Sequence, residues 1–318
     1  MSKKDYIKFH KENNLPFFNQ PWWLEIVSDG DWDCVIVSKK NNILGFLPYV
    51  FVKRIGVKGI GMPLLTQYIN PILIYPKKQK YSKKLSFEKD VLQNLFLGLP
   101  YTSFVETTWG HGIQNWLPLY WLGYKNSSRY SYAIKNIKDL DAVFGNFETK
   151  IRGDIRKAER IVQIKISEDA SVIYNLVSKT FERKKVKMPY SKEFLAKVVN
   201  GCLERNCGEL TYAIDQQDNI HAAVFIVWDK ESAYYLLGGG DSDYRNSGAT
   251  SLLLWEGIKR VSTKVDCFDF EGSMMESIER FVRGFGACQT QLNQLSMIKS
   301  KSYFLKVKLK EVIKHFKR

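Results

Sequence analysis

The chain has 318 residues, 45% apolar and 14% aromatic, with a formal charge of +15. That apolar content is enough for packed cores and excludes a disordered chain, and the length suggests about two domains of ordinary size. The charge favours anionic partners, namely nucleic acid, an anionic membrane surface or phosphorylated substrates.

In chain order, residues 1–14 are charged and lack the apolar stretch of a signal peptide. Trp22 and Trp23 fall in a short helix and read as core. Residues 32–50 (WDCVIVSKKNNILGFLPYV) give strand, polar turn and strand, a hairpin pattern. The uncharged run 59–76 holds three prolines and reads as loop and strand, not as a membrane span. A strand at 101–110, a helix ending at WLGY (121–124) and a strand at 131–134 follow.

Residues 140–162 carry apolar positions at 144, 147, 151, 155, 158 and 162, which is one helix face, with Asp139 or Asp141 as cap. Two more helices are predicted at 170–185 and 191–204. Residues 209–227 (ELTYAIDQQDNIHAAVFIV) repeat the hairpin pattern. After it come a strand from Ser232 into three glycines, a helix over 251–262, a strand at 265–274, a helix ending in GFGA (284–287) and a strand at 289–297. Each half therefore reads hairpin, strand, helix, strand, helix, strand. The fold class is α/β (α+β), with a first domain at 1–138, a second at 139–298 and a basic helix at 299–318.

Five cysteines form no CxxC pair and four histidines are scattered, so neither a disulfide framework nor a metal site is expected, and the predicted setting is cytoplasmic.

The chemistry concentrates in the second half. Strand, Gly238-Gly239-Gly240, loop and helix is an order that presents backbone N–H groups and a helix N-terminus to an anion. Within it Arg245-x-x-Gly248-x-Thr250 nearly matches the acetyltransferase pyrophosphate signature, with Thr where Gly or Ala is usual; Asn246 lies in the same loop. In FDFEGSM (268–274), alternation sets Asp269 and Glu271 on one face and Phe268 and Phe270 on the other. Two close carboxylates raise each other's pKa, as a base for an ammonium nucleophile requires; the alternative is helix capping or pairing with Arg280 or Arg283. The matching first-half positions are Val105 and Thr107, so that half lacks the pair.

KIRGDIRKAER (150–160), HAAVFIVWD (221–229), AYYLLGGGD (233–241), FDFEGSM and ERFVRGFGA (279–287) together resemble the GNAT acetyltransferase superfamily, and the tandem arrangement resembles its FemABX-like group. TQYINP (66–71) looks like a first-domain counterpart. The resemblance implies two tandem GNAT-like acyl-CoA N-acyltransferase domains, the first degenerate and acceptor-binding, the second catalytic. It implies direct transfer from acetyl-CoA or another acyl-CoA to an amine of a polysaccharide or peptidoglycan precursor. FemABX enzymes that use aminoacyl-tRNA often carry a coiled-coil arm, and no sustained heptad run appears here, which sets a tRNA donor second. A degenerate fold that only holds a glycan or a membrane is a third reading.

On that resemblance Tyr68 and Ser273 join the substrate-binding candidates. Arg152 and Arg156 share a helix face with Arg160, and Arg183 opens a basic cluster; they either hold phosphate or form a solvated face. His221 is either a structural polar residue or a base. Tyr235 either packs or protonates a leaving thiolate. In the tail, apolar residues 305, 309, 312, 313 and 316 form a stripe among lysines, as for a helix on an anionic membrane face or one packed on its own domain.

Overall fold

The computed structural model describes residues 2–110, 112–272 and 274–316, without the side chains of 311 and 313–316. The chain divides into two units, residues 1–129 with 291–318, and residues 130–290. The first division falls nine residues before the expected 138/139 boundary, and residues 291–298 belong to the first unit.

The first unit opens with helices α1 (Ser2–Glu12) and α2 (Pro21–Ser28). Pro21 starts α2, where its fixed φ fits and its missing N–H costs nothing. Trp23 is fully buried and Trp22 half-buried. The hairpin of β1 (Trp32–Lys39) and β2 (Asn42–Arg54) turns on Lys40 and Asn41, both with positive φ of 49° and 64°, which matches the twist of its strands. Strands β3 (Val57–Ile60) and β4 (Ile72–Leu73) pair with β2. Helix α3 (Tyr81–Leu97) buries Val91, Leu92, Leu95 and Phe96 against this sheet. Strand β5 (Phe104–Trp109) runs parallel to β3 through Ile60↔Val105, and α4 (Leu117–Trp121) follows. Tyr68 is buried, its ring packed on Phe18 and against Gly110.

Strand β6 (Lys125–Lys135) crosses into the second unit. The single helix expected over 140–162 is two: α5 (Leu140–Gly145), capped by Asp139, and α6 (Thr149–Ala158). The break has a tertiary cause. Phe147 packs on Trp255 and Phe285, and the Glu148 N–H donates to Gly284 O at 2.8 Å. Then come β7 (Gln163–Ser167), α7 (Ala170–Arg183), α8 (Lys192–Leu203), β8 (Gly208–Ile214), β9 (Ile220–Trp228), β10 (Ser232–Gly240), α9 (Ala249–Val261), β11 (Cys267–Asp269) and α10 (Glu276–Arg283). The sheet order in this unit is β6-β11-β10-β9-β8-β7. Alternation along β9 gives two covered faces. Ala222, Val224 and Ile226 pack in one core with α6 and α9, while α7 lies over Gly239, the partner of Ala223.

The last two elements are β12 (Cys288–Ile298) and α11 (Lys301–Phe316). Strand β12 pairs with β5 of the first unit over residues 293–298, and β6 pairs with β11 of the second over 133–135. Each repeat thus ends in a strand that completes the other repeat's sheet. In α11, Tyr303 stacks on Phe104 at 4.6 Å, while Phe304, Leu305, Leu309 and Val312 stay exposed. Among the described residues no helix is long and apolar enough to cross a membrane.

Candidate active site

Strands β10 and β11 run parallel and pair over Ser232↔Cys267, Ala233↔Phe268 and Tyr234↔Asp269. There β11 stops, while β10 continues to Gly240 on β9. The strands diverge after Tyr234 and Asp269, so one edge of β10 from Tyr235 to Gly240 faces no strand among the described residues. A bulge between Tyr235 and Leu237 re-aims the side chains at this point. An opening beyond the carboxyl ends of parallel strands is where α/β sheets hold ligands.

Asp269 is buried at the mouth of this opening, and its Oδ1 accepts the Ser131 hydroxyl and, at 2.7 Å, the Glu271 N–H. Glu271 does not continue the strand as alternation expects. It takes φ +58° and Gly272 follows at +56°, a left-handed pair that turns the chain out of β11. Gly272 is obligatory, because a Cβ there would sit 2.2 Å from Tyr130 O. Glu271 Oε1 is sealed from solvent with no hydrogen-bond partner among the described residues. Burial, and then the Asp269 charge, push the Glu271 carboxyl well above the usual carboxylate range. Tyr190, between α7 and α8, is close enough that its hydroxyl is raised by burial and then by the Glu271 charge. The alternative ion pair is not made by Arg283, which donates to Glu279 at 2.9 Å; Arg280 is exposed.

On the donor side, Gly238, Gly239 and Gly240 lie in β10, not in a loop, because the β9 ladder continues through Ala222. Only Gly240 is open: a Cβ there would meet nothing nearer than His221 O at 3.5 Å, with Thr250 Oγ1 at 3.8 Å. Gly238 accommodates the Tyr235 hydroxyl, and Gly239 the α7 backbone at Leu176 and Val177. Burial pushes Tyr235 up to about 12, so it stays protonated and able to donate near neutral pH. The loop proper spans 241–248 and enters α9 through Gly248 at φ +83°. A Cβ at Gly248 would lie 2.1 Å from Asp154 O, so this glycine serves the packing of α6 as well as the turn. Arg245 and Asn246 are exposed, and Lys157 Nζ donates to Asn246 O at 2.7 Å. Gly248 has no side chain to cap α9; the Ala249 N–H donates to Ser247 Oγ at 3.2 Å, and the helix N-terminus after it is the kind of end that holds an anion.

His221 borders a neighbouring feature. Its Nε2 lies 3.1 Å from Asp215 Oδ2, its ring stacks on Tyr244 at 4.1 Å, and its Nδ1 is buried without a partner among the described residues. Burial raises the Asp215 carboxyl, but donors from Asn219, His221 and Gln217 outweigh it and bring it to about 2. Tyr244, with Asp241 and its ion-pair partner Lys179, lines an open groove of about 850 Å³ along α7 that also meets Asn175, Glu182 and Asp218.

Arg152 lies on α6 and donates to Gly145 O at 3.2 Å; Arg156 is exposed one turn on, and Arg160 lies past the helix end. Arg183 is exposed at the end of α7. Tyr68 is a buried residue of the first unit. Ser273 lies outside the described residues. Reasoning from sequence missed Ser131, Tyr190, Lys179 and Asp215. Only Asp241, directly after the glycines, carried a local signal.

Residues 145–276 match the family model described as an acetyltransferase (GNAT) domain. Among solved structures, FemX is similar over 92% of this chain and 96% of its own, at 13% identity and a TM-score of 0.66. The C-terminal domain of a putative lysylphosphatidylglycerol synthetase from Agrobacterium fabrum is similar over 96% and 95%, at 9% identity and 0.56. A tandem GNAT protein from the clavulanic acid biosynthesis pathway is similar over 92% of both chains, at 9% identity and 0.53. At these identities the likeness is one of fold. No curated protein matches the sequence.

Proposed function

We propose that the chain, whose residues 145–276 match an acetyltransferase (GNAT) domain and whose fold is similar to that of FemX, transfers an acyl group from acyl-CoA to an amine of a polysaccharide or peptidoglycan precursor. The observation carrying this reading is Glu271: a buried carboxylate with a free oxygen and a raised pKa, at the point where β10 and β11 separate. A base for an amine near neutral pH needs such a carboxyl.

In the proposed reaction the thioester lies along the open edge of β10. Backbone N–H groups of that edge stabilise the oxyanion, and the diphosphate of the donor meets the 241–248 loop and the start of α9. The acceptor nitrogen forms the new C–N bond, its proton passes to Glu271, and the C–S bond breaks. Tyr235 gives its proton to the leaving thiolate. Asp269 acts through Glu271, holding its backbone N–H and raising its pKa. Arg152, Arg156 and Arg183 are assigned to the acceptor's phosphates.

Calorimetric titration with acetyl-CoA and longer acyl-CoAs, run beside thiol release in the presence of amino-sugar acceptors, tests this. Binding of an acyl-CoA with acceptor-dependent thiol release is expected. Absence of both, with aminoacyl-tRNA binding in their place, would transfer the assignment to a tRNA donor, the second reading that the +15 charge favours.

A further inference from the structure

The first unit carries an aromatic face that its own core does not use. Leu119 of α4 is fully buried, while Leu117, Tyr120 and Trp121 point outward, Tyr120 at 59% and Trp121 at 54% exposure. The helix is held in place: Gln93 of α3 donates to Pro118 O at 3.3 Å, and the Trp116 ring meets Tyr120 edge-on at 5.9 Å. Large aromatics so displayed on a fixed helix mark an interaction surface.

Its surroundings identify the partner. Lys89 Nζ lies 5.4 Å from the Trp121 ring. Lys77, Lys78, Lys80, Lys83 and Lys84 precede it, all exposed, with exposed Tyr81 and Leu85 among them. The acids nearby do not cancel this charge. Glu88 is buried, takes the Tyr75 hydroxyl and the Asn115 amide, and pairs with Lys84 at 3.7 Å, which leaves Asp90 against Lys77, Lys78, Lys80, Lys83 and Lys89. Trp and Tyr settle at the headgroup level of a bilayer, where one end is apolar and the other wet, and lysines beside them reach lipid phosphates. A second copy of the chain would set these lysines against themselves in a two-fold contact, which like-charge repulsion opposes.

We propose that the first unit docks on an anionic lipid surface through Leu117, Tyr120 and Trp121 of α4, with the lysines of 77–89 meeting the headgroup phosphates. The face lies outside the residues assigned to acyl transfer and brings the enzyme to acceptors held at a membrane.

The test uses the full chain and sedimentation with vesicles of phosphatidylglycerol and phosphatidylcholine, or of phosphatidylcholine alone. Wild type should bind the anionic vesicles only. Trp121→Ser with Tyr120→Ser should weaken that binding on the order of tenfold or more, because two interfacial rings are lost. Gln at Lys77, Lys78 and Lys80 should weaken it and flatten its salt dependence. Melting temperature and thiol release with a soluble amine should stay at wild-type values in both variants. Undiminished vesicle binding by the aromatic variant would overturn the proposal. So would wild-type protein that ignores anionic vesicles but self-associates or binds nucleic acid through this face.

Discussion

The Glu271 N–H donates to Asp269 Oδ1 at 2.7 Å, so the two carboxyl groups are tied through the main chain and not across one strand face. The tie holds Glu271 in a left-handed turn and keeps a negative charge beside a carboxyl that burial already disfavours ionising.

Glu271→Gln keeps the shape and removes the base. Turnover should fall by about 10²- to 10⁴-fold with acyl-CoA affinity unchanged, and the acidic limb of the pH–rate profile should disappear. Near-normal turnover would end the assignment of Glu271 as base.

The same variant separates catalysis from stability. The folded-state pKa of Glu271 is raised, so between its unfolded and folded values the native state holds the extra proton and stability falls as pH rises. Glu271→Gln should therefore melt higher than wild type at neutral pH, and the difference should vanish near pH 4. A lower melting temperature at neutral pH would mean that the carboxylate stabilises the fold through a partner.

Asp269→Asn leaves an oxygen to accept from Ser131 and Glu271 but removes the charge. The acidic limb should move to lower pH without disappearing, because burial, the larger cause, remains. An unmoved limb would separate Asp269 from the titration.

Two glycines distinguish packing from donor approach. Gly248→Ala should destabilise by at least about 1–2 kcal/mol from its φ alone, with the contact to Asp154 added. Gly240→Ala has room for its methyl and should melt like wild type while binding acyl-CoA more weakly. Unchanged affinity in a stable Gly240→Ala protein would place the donor elsewhere.

Removing residues 304–318 spares the Tyr303–Phe104 stack. Melting temperature should hold, and affinity for anionic vesicles should drop as Leu305, Leu309 and Val312 are lost with their lysines. Loss of cooperative melting would make α11 a packing element.

Local rules placed most elements well. The hairpins expected at 32–50 and 209–227 and the helices at 170–185 and 191–204 lie within a few residues of their places, because period and turn residues agree there. What failed was tertiary. Phe147 follows the helical period yet sits in a break, since its ring is needed against Trp255 and Phe285. Gly238 and Gly239 read as a loop but are strand, because their missing side chains admit a Tyr235 hydroxyl and the α7 backbone. Both carboxyl groups of the candidate site were legible, but for a reason the fold does not use: β11 ends at Asp269, and a left-handed turn brings in Glu271. Ser131 lies 138 residues from Asp269, and no local pattern joins them.

The exchange of final strands bears on synthesis. Residues 130–290 are contiguous and contain the part of β6 that pairs with β11, so once they leave the ribosome the second unit has every strand it needs. The first unit emerges earlier but waits: the edge of β5 stays unpaired until residues 293–298 arrive, after the second unit. The amino-terminal unit thus closes after the second one, and while residues 130–290 are being made it exposes a strand edge of the kind that recruits wrong partners. Cutting the gene at 138/139 to express the halves separately would make that exposure permanent in the first piece and remove β6 from the second.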